Sequence, residues 1–94
     1  MGETRTVSVV IEGRVQGVSY RAWTQNEARA RGLTGSVRNR EDGTVEAVFS
    51  GAPEVVADML TLCRSGPPAA RVTDITVREQ DDPPDRQGFQ ILHD

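Results

Sequence analysis

Cysteine and histidine are almost absent from this chain of 94 residues, in which each occurs once, as Cys63 and His93. One cysteine cannot form an internal disulfide, and these two residues cannot supply the ligands of a typical zinc site. A catalytic triad of serine, histidine and aspartate would have to use His93. If the chain is an enzyme, its chemistry must therefore depend on arginine, asparagine, carboxylate and main-chain amide groups.

A long apolar segment is also lacking. No part of the sequence approaches the roughly 20 apolar residues of a transmembrane helix, and the charged residues 1–12 do not resemble a cleaved leader. We therefore expect a cytoplasmic protein that has no membrane partner.

Positive charge and aromatic rings are scarce as well. The net charge is −3, all eleven basic residues are arginine, and aromatic residues make up only 4% of the chain. Proteins that bind RNA or DNA usually present a basic surface, often with exposed aromatic side chains that stack on bases. We therefore expect no nucleic acid among the partners, although RNA-binding modules can share the fold predicted below.

The rest of the composition is that of an ordinary globular protein, with 36% apolar and 27% charged residues. This length is enough for one hydrophobic core but not for two. We therefore expect a single domain over residues 1–94. No apolar surface segment indicates an oligomer interface, so we expect a monomer.

The spacing of apolar residues predicts five strands and two helices. Val7, Val9 and Ile11 alternate with more polar neighbours, which is the period of a half-buried strand. Val56, Met59 and Cys63 recur at helical spacing after Pro53, which suits a helix start. The predicted elements are strand 6–12, a helix from its N-cap Ser19 to about Arg31, strands 34–40 and 44–50 joined by a tight Asp-Gly turn, a helix from Pro53, strand 72–78 and a short strand around residues 89–91.

This order, β-α-β-β-α-β plus a final strand, is typical of the ferredoxin-like α+β sandwich. We expect an antiparallel sheet with two helices on one face. Cys63 should lie in the core, because free cysteine at an apolar helix position is usually buried. It is therefore not a candidate nucleophile. The fold hosts unrelated functions, so the function must be argued from particular residues.

The segment between the first strand and the first helix, residues 13–21, is a candidate anion site. It contains Arg14 and Arg21 and no acidic residue. Gly13 and Gly17 allow the backbone to curl so that several N–H groups point inward, and the helix start adds partial positive charge. The alternative is an ordinary strand-to-helix turn in which the glycines serve only the bend, and spacing alone does not separate the two.

A second segment without acidic residues, residues 35–40, ends the second predicted strand and contains Arg38 and Arg40. Arginines at strand ends are usually solvated. In an acidic protein, however, these two segments together contain four of the eleven arginines. Adjacent strands could bring the four together as a local positive surface, which an anion site on such a protein requires.

Both segments resemble signatures of the acylphosphatase family, and the resemblance extends over essentially the whole chain. The matching residues are Gly13-x-Val15-Gln16-Gly17-Val18-x-Tyr20-Arg21 and Gly35-x-Val37-Arg38-Asn39-x-x-x-Gly43-x-Val45. The resemblance implies a hydrolase that cleaves the carboxyl-phosphate bond of acyl phosphates without a metal or cofactor. It also implies that Arg21 binds the substrate phosphate and Asn39 orients the attacking water. The amides implied in phosphate binding belong to Gln16, Gly17, Val18, Ser19 and Tyr20.

The implied reaction suits these residue types. The leaving group of an acyl phosphate is a carboxylate, whose conjugate acid has a pKa of about 4, so it departs without strong acid assistance. Catalysis then requires positioning and charge stabilisation, which a guanidinium and main-chain amides can supply. The scarcity of histidine and cysteine is therefore no obstacle.

Two residues depart from the family pattern. Ser36 stands where a large aromatic residue is usual, and strand alternation places it on the opposite sheet face from Asn39, so we expect an effect on packing. His93 stands where an aromatic is common, and we interpret it as a surface residue without a catalytic role. The alternatives are a phosphate-binding protein without catalysis, an RNA-binding module, and a domain of a larger maturation protein, which the chain length disfavours.

Overall fold

The computed structural model describes residues 3–84 and 87–93. Within these residues, five strands and two helices follow the predicted order. Each predicted element is present, and no end is shifted by more than two residues. The elements are β1 (Arg5–Arg14), α1 (Tyr20–Ala30), β2 (Thr34–Asn39), β3 (Val45–Gly51), α2 (Pro53–Ser65), β4 (Arg71–Gln80) and β5 (Phe89–Ile91).

The core lies between one face of the sheet and the two helices. Alternation along each strand directs every second residue toward the helices, and the predicted inward residues of β1 and β3 are buried. Cys63 lies in this core with no exposed surface, as predicted. The residues with the least exposure include Val7, Val9, Ile11, Val45, Ala47 and Phe49 from the sheet, and Tyr20, Ala28, Val56 and Met59 from the helices.

The strand order β4-β1-β3-β2-β5 determines where the ends of the strands meet. Both β1 and β2 run antiparallel to β3, and Ile11 and Asn39 are both paired with Val45 at its start. β1 and β2 are therefore parallel to each other on either side of β3. β5 is parallel to β2, so the carboxyl ends of β1, β2 and β5 share one edge of the sheet, which we call the carboxyl edge.

The parallel pairing of β5 corrects the expectation of a purely antiparallel sheet. The sheet is mixed, because β5 returns beside β2 in the same direction. Its attachment is continued at both ends by main-chain hydrogen bonds from Gly35 N–H to Gly88 O at 3.0 Å and from Leu92 N–H to Val37 O at 2.8 Å. Three residues of strand carry no sequence signal for direction.

The hairpin between β2 and β3 fixes the position of the carboxyl end of β2. Gly43 has a positive φ of 91°, as an Asp-Gly turn requires. Asp42 Oδ1 accepts hydrogen bonds from the hydroxyl of Thr44 at 2.6 Å and from its N–H at 3.0 Å. These two bonds hold the pKa of Asp42 below its ordinary value, and the bond from the Thr44 hydroxyl has the larger effect. The predicted tight turn is confirmed.

Gly13 has a different role from the one that its sequence position suggests. It belongs to β1, at a register shift between Glu12 and Gly13 where β1 bulges against β4. Its φ is 124°, and a Cβ there would lie 2.1 Å from the carbonyl oxygen of Arg71. Gly13 therefore permits close strand approach and does not form part of the loop that follows.

Neither described helix is long and apolar enough to cross a membrane.

Candidate active site

A pocket of about 200 Å³ lies at the carboxyl edge. Three segments that are distant in sequence form it: the β1–α1 loop (residues 15–19) with the start of α1, the end of β2, and the end of β5. Arg21 and Asn39, which the sequence singled out separately, are brought together here. The lining residues are Val15, Gly17, Ser19, Tyr20, Arg21, Ala22, Asn39, Ile91 and His93.

The β1–α1 loop offers main-chain donors that the fold does not use. Among the hydrogen bonds of residues 3–84 and 87–93, none has an N–H group of residues 16–20 as its donor. Gly17 takes a positive φ of 75°, and Gly17, Ser19 and Tyr20 line the pocket. Gln16 and Val18, also predicted to contribute amides, are not among the lining residues, and the side chain of Val18 packs against the core.

Ser19 does not cap α1 in the way its residue type predicts. It occupies the N-cap position, but its side chain makes no capping hydrogen bond, and its backbone is left-handed, with φ 64° and ψ 25°. It is the single non-glycine residue with positive φ in the described part of the chain. Such a conformation is costly outside glycine and is found preferentially at functional sites. The carbonyl of Ser19 still accepts the first helical bond, from Trp23 N–H at 3.0 Å.

Tyr20 anchors the beginning of α1 to the end of α2. Its buried hydroxyl donates a 2.7 Å hydrogen bond to the carbonyl oxygen of Cys63. The N–H that would normally serve this carbonyl within a helix belongs to residue 67, which is a proline and has none. Burial raises the pKa of Tyr20, so the hydroxyl remains a protonated donor. Burial also raises the pKa of the Cys63 thiol to about 12, which agrees with a core role.

Arg21 keeps its charge available. None of the ion pairs among the described residues includes it, and its Nη1 lies within hydrogen-bond distance of Nδ1 of His93, at 3.3 Å. The four arginines that the sequence singled out do not all line this pocket. Arg14 and Arg38 do not line the pocket, Arg38 pairs with Glu46 at 2.9 Å, and Arg40 lies in an adjoining depression.

Asn39 closes the pocket from the side of β2. It is half-buried, and its side-chain amide has no hydrogen-bond partner within the described residues. An amide of this kind can both donate and accept. Ser36, three residues earlier, lines a separate hollow on the open face of the sheet with Ser8 and Val48. The predicted separation of Ser36 from Asn39 is therefore confirmed.

Comparison with known proteins identifies the family. The acylphosphatase family model matches residues 7–91. The chain belongs to the acylphosphatase family. This confirms the resemblance predicted from the two signatures and, with it, the predicted class of enzyme.

Individual relatives agree with that membership. An acylphosphatase of Azorhizobium caulinodans is 56% identical over 94% of this chain and 95% of its own length. An acylphosphatase of Bradyrhizobium diazoefficiens is 61% identical over 74% of this chain and 71% of its own length. The crystal structure of the Bacillus subtilis acylphosphatase superposes with a TM-score of 0.91 at 35% identity, covering 95% of this chain and 99% of that chain.

The pocket is bordered by a contact between two segments that the sequence did not predict. Gln16 was expected to contribute its main-chain amide, but its side chain bridges the β1–α1 loop to the β2–β3 hairpin. Nε2 donates to the carbonyl oxygens of Arg40 and Thr44, each at 2.8 Å. The loop that carries the amides is thereby tied to the hairpin that directly follows Asn39. No local pattern indicates where a glutamine side chain will reach.

His93 is the second residue whose place the sequence did not predict. It is exposed, as expected, but it lines the same pocket as Arg21 and Asn39. Alternation along β5 and the residues after it puts Ile91 and His93 on the same face as buried Phe89. Its exposure confirms the interpretation of His93 as a surface residue. That it has no catalytic role stays a prediction. The spacing of four residues between Phe89 and His93 could have indicated this position, but only if the direction of β5 in the sheet had been known.

The described residues contain no group of three or more histidine, cysteine, aspartate or glutamate side chains arranged to hold a metal ion. The titratable side chains that line the pocket are Tyr20, Arg21 and His93. What the pocket offers is therefore one unpaired guanidinium, free main-chain N–H groups, one neutral amide and one imidazole. Such a set can bind an anion and orient a water molecule.

Proposed function

We propose that this pocket hydrolyses the carboxyl-phosphate bond of acyl phosphates to a carboxylate and inorganic phosphate. Arg21 and the main-chain N–H groups of Gln16 to Tyr20 bind the phosphate, and Asn39 orients the attacking water. One observation carries the assignment: Arg21 and Asn39, from two separate family signatures, line one pocket, and neither is engaged by a carboxylate of the described residues.

Phosphate binding follows from charge and from unused donors. A guanidinium can donate two parallel hydrogen bonds to two phosphate oxygens, and it remains charged at every physiological pH. N–H groups at a helix start and in a left-handed turn favour an anion, since their partial positive charges converge. The left-handed Ser19 and the unused amides of residues 16–20 support such a cradle.

The chemical step requires little beyond positioning. The Oδ1 of Asn39 can accept a hydrogen bond from a water molecule, which directs a lone pair of that water toward phosphorus. As the P–O bond to the acyl group breaks, the bonding electrons leave with the carboxylate. Arg21 and the amides then stabilise the charge on the phosphoryl oxygens. The water proton passes to a phosphate oxygen, because the Nδ1 of His93 is occupied by Arg21.

The domain organisation, oligomeric state, location and partners of the protein also belong to this proposal. We propose one domain over residues 1–94, a monomer, a cytoplasmic location, and an acyl phosphate as the ligand with no nucleic acid partner. The acidic net charge of −3 supports the last of these. A phosphate-binding or RNA-binding module without catalysis is not favoured, since the relatives across most of the chain carry the name acylphosphatase.

The decisive experiment measures hydrolysis of benzoyl phosphate by the purified protein in the presence of EDTA. We expect chelator-insensitive turnover. Arg21→Gln and Asn39→Ala should each lower turnover on the order of 100- to 1,000-fold, as expected when a preorganised transition-state contact is lost. Arg64→Gln and Asn26→Ala are matched controls, because Arg64 and Asn26 are exposed helix residues outside the pocket.

Thermal unfolding of all four variants shows whether each is folded. Near-wild-type turnover in a folded Arg21→Gln or Asn39→Ala protein would overturn the residue assignments. Loss of activity with EDTA, restored by a divalent metal, would overturn the metal-independent mechanism.

A further inference from the structure

We infer that His93 is a positioning residue for Arg21: its ring nitrogen holds the guanidinium in the phosphate-binding orientation before substrate arrives. The inference rests on the proposed function of Arg21. It assigns a role to a residue that stands where the acylphosphatase family commonly has an aromatic.

The contact defines which form of the imidazole takes part. Arg21 Nη1 lies 3.3 Å from Nδ1 of His93. A guanidinium has only donors, so Nδ1 must be the acceptor and must carry no proton. The ring is then neutral with its proton on Nε2, and it orients the cation without adding charge to the pocket.

The fold places His93 firmly enough for this role. β5 is fixed to β2 by the hydrogen bond from Leu92 N–H to Val37 O at 2.8 Å. It is fixed to α1 by Gln25 Nε2 and Arg29 Nε, which donate to the carbonyl oxygen of Phe89 at 3.1 and 3.2 Å. These bonds join α1, which carries Arg21, to the strand that leads to His93.

Arg21 needs such a partner because no other hydrogen bond or ion pair among the described residues holds its head group. Other arginines have carboxylate partners at short range, such as Arg31 with Glu27 at 2.6 Å. A carboxylate on Arg21 would compete with the substrate phosphate for the same donors. A neutral nitrogen restrains the side chain while leaving the positive charge uncompensated, and most of the five N–H donors stay free.

Other charged groups near His93 do not replace this contact. The adjoining depression is lined by Arg21, Asn39, Arg40, Glu41, Leu92 and His93. Arg40 Nη2 lies 3.9 Å from Oδ2 of Asp42, and the ion pairs among the described residues include none between Glu41 and Arg21. Within residues 3–84 and 87–93, His93 therefore makes the one hydrogen bond to the Arg21 head group, which takes part in no ion pair there.

The test compares His93→Leu with His93→Asn, two side chains of nearly equal shape. Leucine has no acceptor, whereas asparagine Oδ1 can lie close to the position of Nδ1. In His93→Leu the Arg21 side chain is free before phosphate binds, and binding must then restrict it at a cost in entropy. His93→Leu should therefore weaken the binding of inorganic phosphate and raise KM roughly two- to tenfold. The kcat should stay within about twofold of wild type, since bound phosphate then orders Arg21. His93→Asn should restore both values.

Calorimetric titration with inorganic phosphate and benzoyl phosphate kinetics give the two readouts, and thermal unfolding confirms that both variants are folded. Three results would overturn the inference. His93→Leu could bind phosphate as tightly as wild type does, or His93→Leu and His93→Asn could be equally impaired. The third result is a lower kcat for His93→Leu with an unchanged KM. A failure of the proposed function looks different, because Arg21→Gln would then leave phosphate affinity and turnover unchanged in the wild-type His93 background.

Discussion

Replacing Gln16 by methionine should lower the stability of the fold modestly and the turnover of the enzyme strongly. Gln16 Nε2 donates to the carbonyl oxygens of Arg40 and Thr44, each at 2.8 Å. Methionine has a similar length and flexibility but no donor. The change therefore removes two hydrogen bonds between the β1–α1 loop and the β2–β3 hairpin while leaving the packed volume nearly the same.

The expected loss of stability is small because each of the two carbonyl oxygens keeps another hydrogen-bond donor. Arg40 O still accepts from Gly43 N–H at 3.2 Å, and Thr44 O still accepts from Arg40 N–H at 2.9 Å. Since neither carbonyl is left without a donor, each lost bond should cost toward the low end of the usual range, about 1–2 kcal/mol in total. In a domain of this size, that lowers the melting temperature by roughly 4–16 °C.

Turnover should suffer more, because the same bonds set the position of the amide loop relative to Asn39. A displacement of about 1 Å between catalytic groups can cost roughly 100-fold. We expect kcat for benzoyl phosphate to fall at least about tenfold at a temperature where the variant is folded. Gln80→Met is the matched control: Gln80 is exposed, and its bond to Ser8 Oγ at 3.2 Å lies far from the pocket.

Two results would refute this reasoning. If the melting temperature of Gln16→Met falls but kcat stays within about twofold of wild type, the hairpin does not depend on Gln16 for its catalytic position. If the melting temperature does not change, the two hydrogen bonds contribute nothing to the folded state.

Two further changes alter side chains that the proposed mechanism does not use. Tyr20→Phe should lower the free energy of unfolding by about 1–3 kcal/mol in urea titration, because the buried carbonyl of Cys63 loses its 2.7 Å donor and Pro67 cannot replace it; an unchanged midpoint would contradict this. Ser36→Trp should raise the unfolding free energy by about 1 kcal/mol by filling the hollow beside Val48, with kcat unchanged; altered turnover without altered stability would show that this face reaches the chemistry.

The sequence predicted the elements well because the sheet is half buried. Strict alternation, as in Val7, Val9 and Ile11, leaves one compatible face, and all three residues are fully buried. The helix after Pro53 was equally clear from its apolar spacing. The pairing of the two signatures at one pocket followed from the fold, since β1 and β2 lie on either side of β3.

The parts that the sequence missed depend on tertiary placement. Ser19 has the residue type of a cap, but its backbone is left-handed and its side chain makes no capping hydrogen bond. The use of Gly13 at a bulge requires knowing that β4 lies beside it. Gln16 and His93 contact groups more than 20 and 70 residues away, and no local periodicity encodes contacts over such separations.

The carboxyl edge has a consequence for how activity appears during synthesis. Its three strands, β1, β2 and β5, come from early, middle and late parts of the sequence. A nascent chain can form β1, α1 and the β2–β3 hairpin while β5 is still inside the ribosome. The pocket then lacks one wall, and Arg21 lacks its partner. Catalytic competence should therefore arise last, when β5 adds to β2, so recovered turnover in a refolding experiment reports completion of the sheet and not merely collapse of the core.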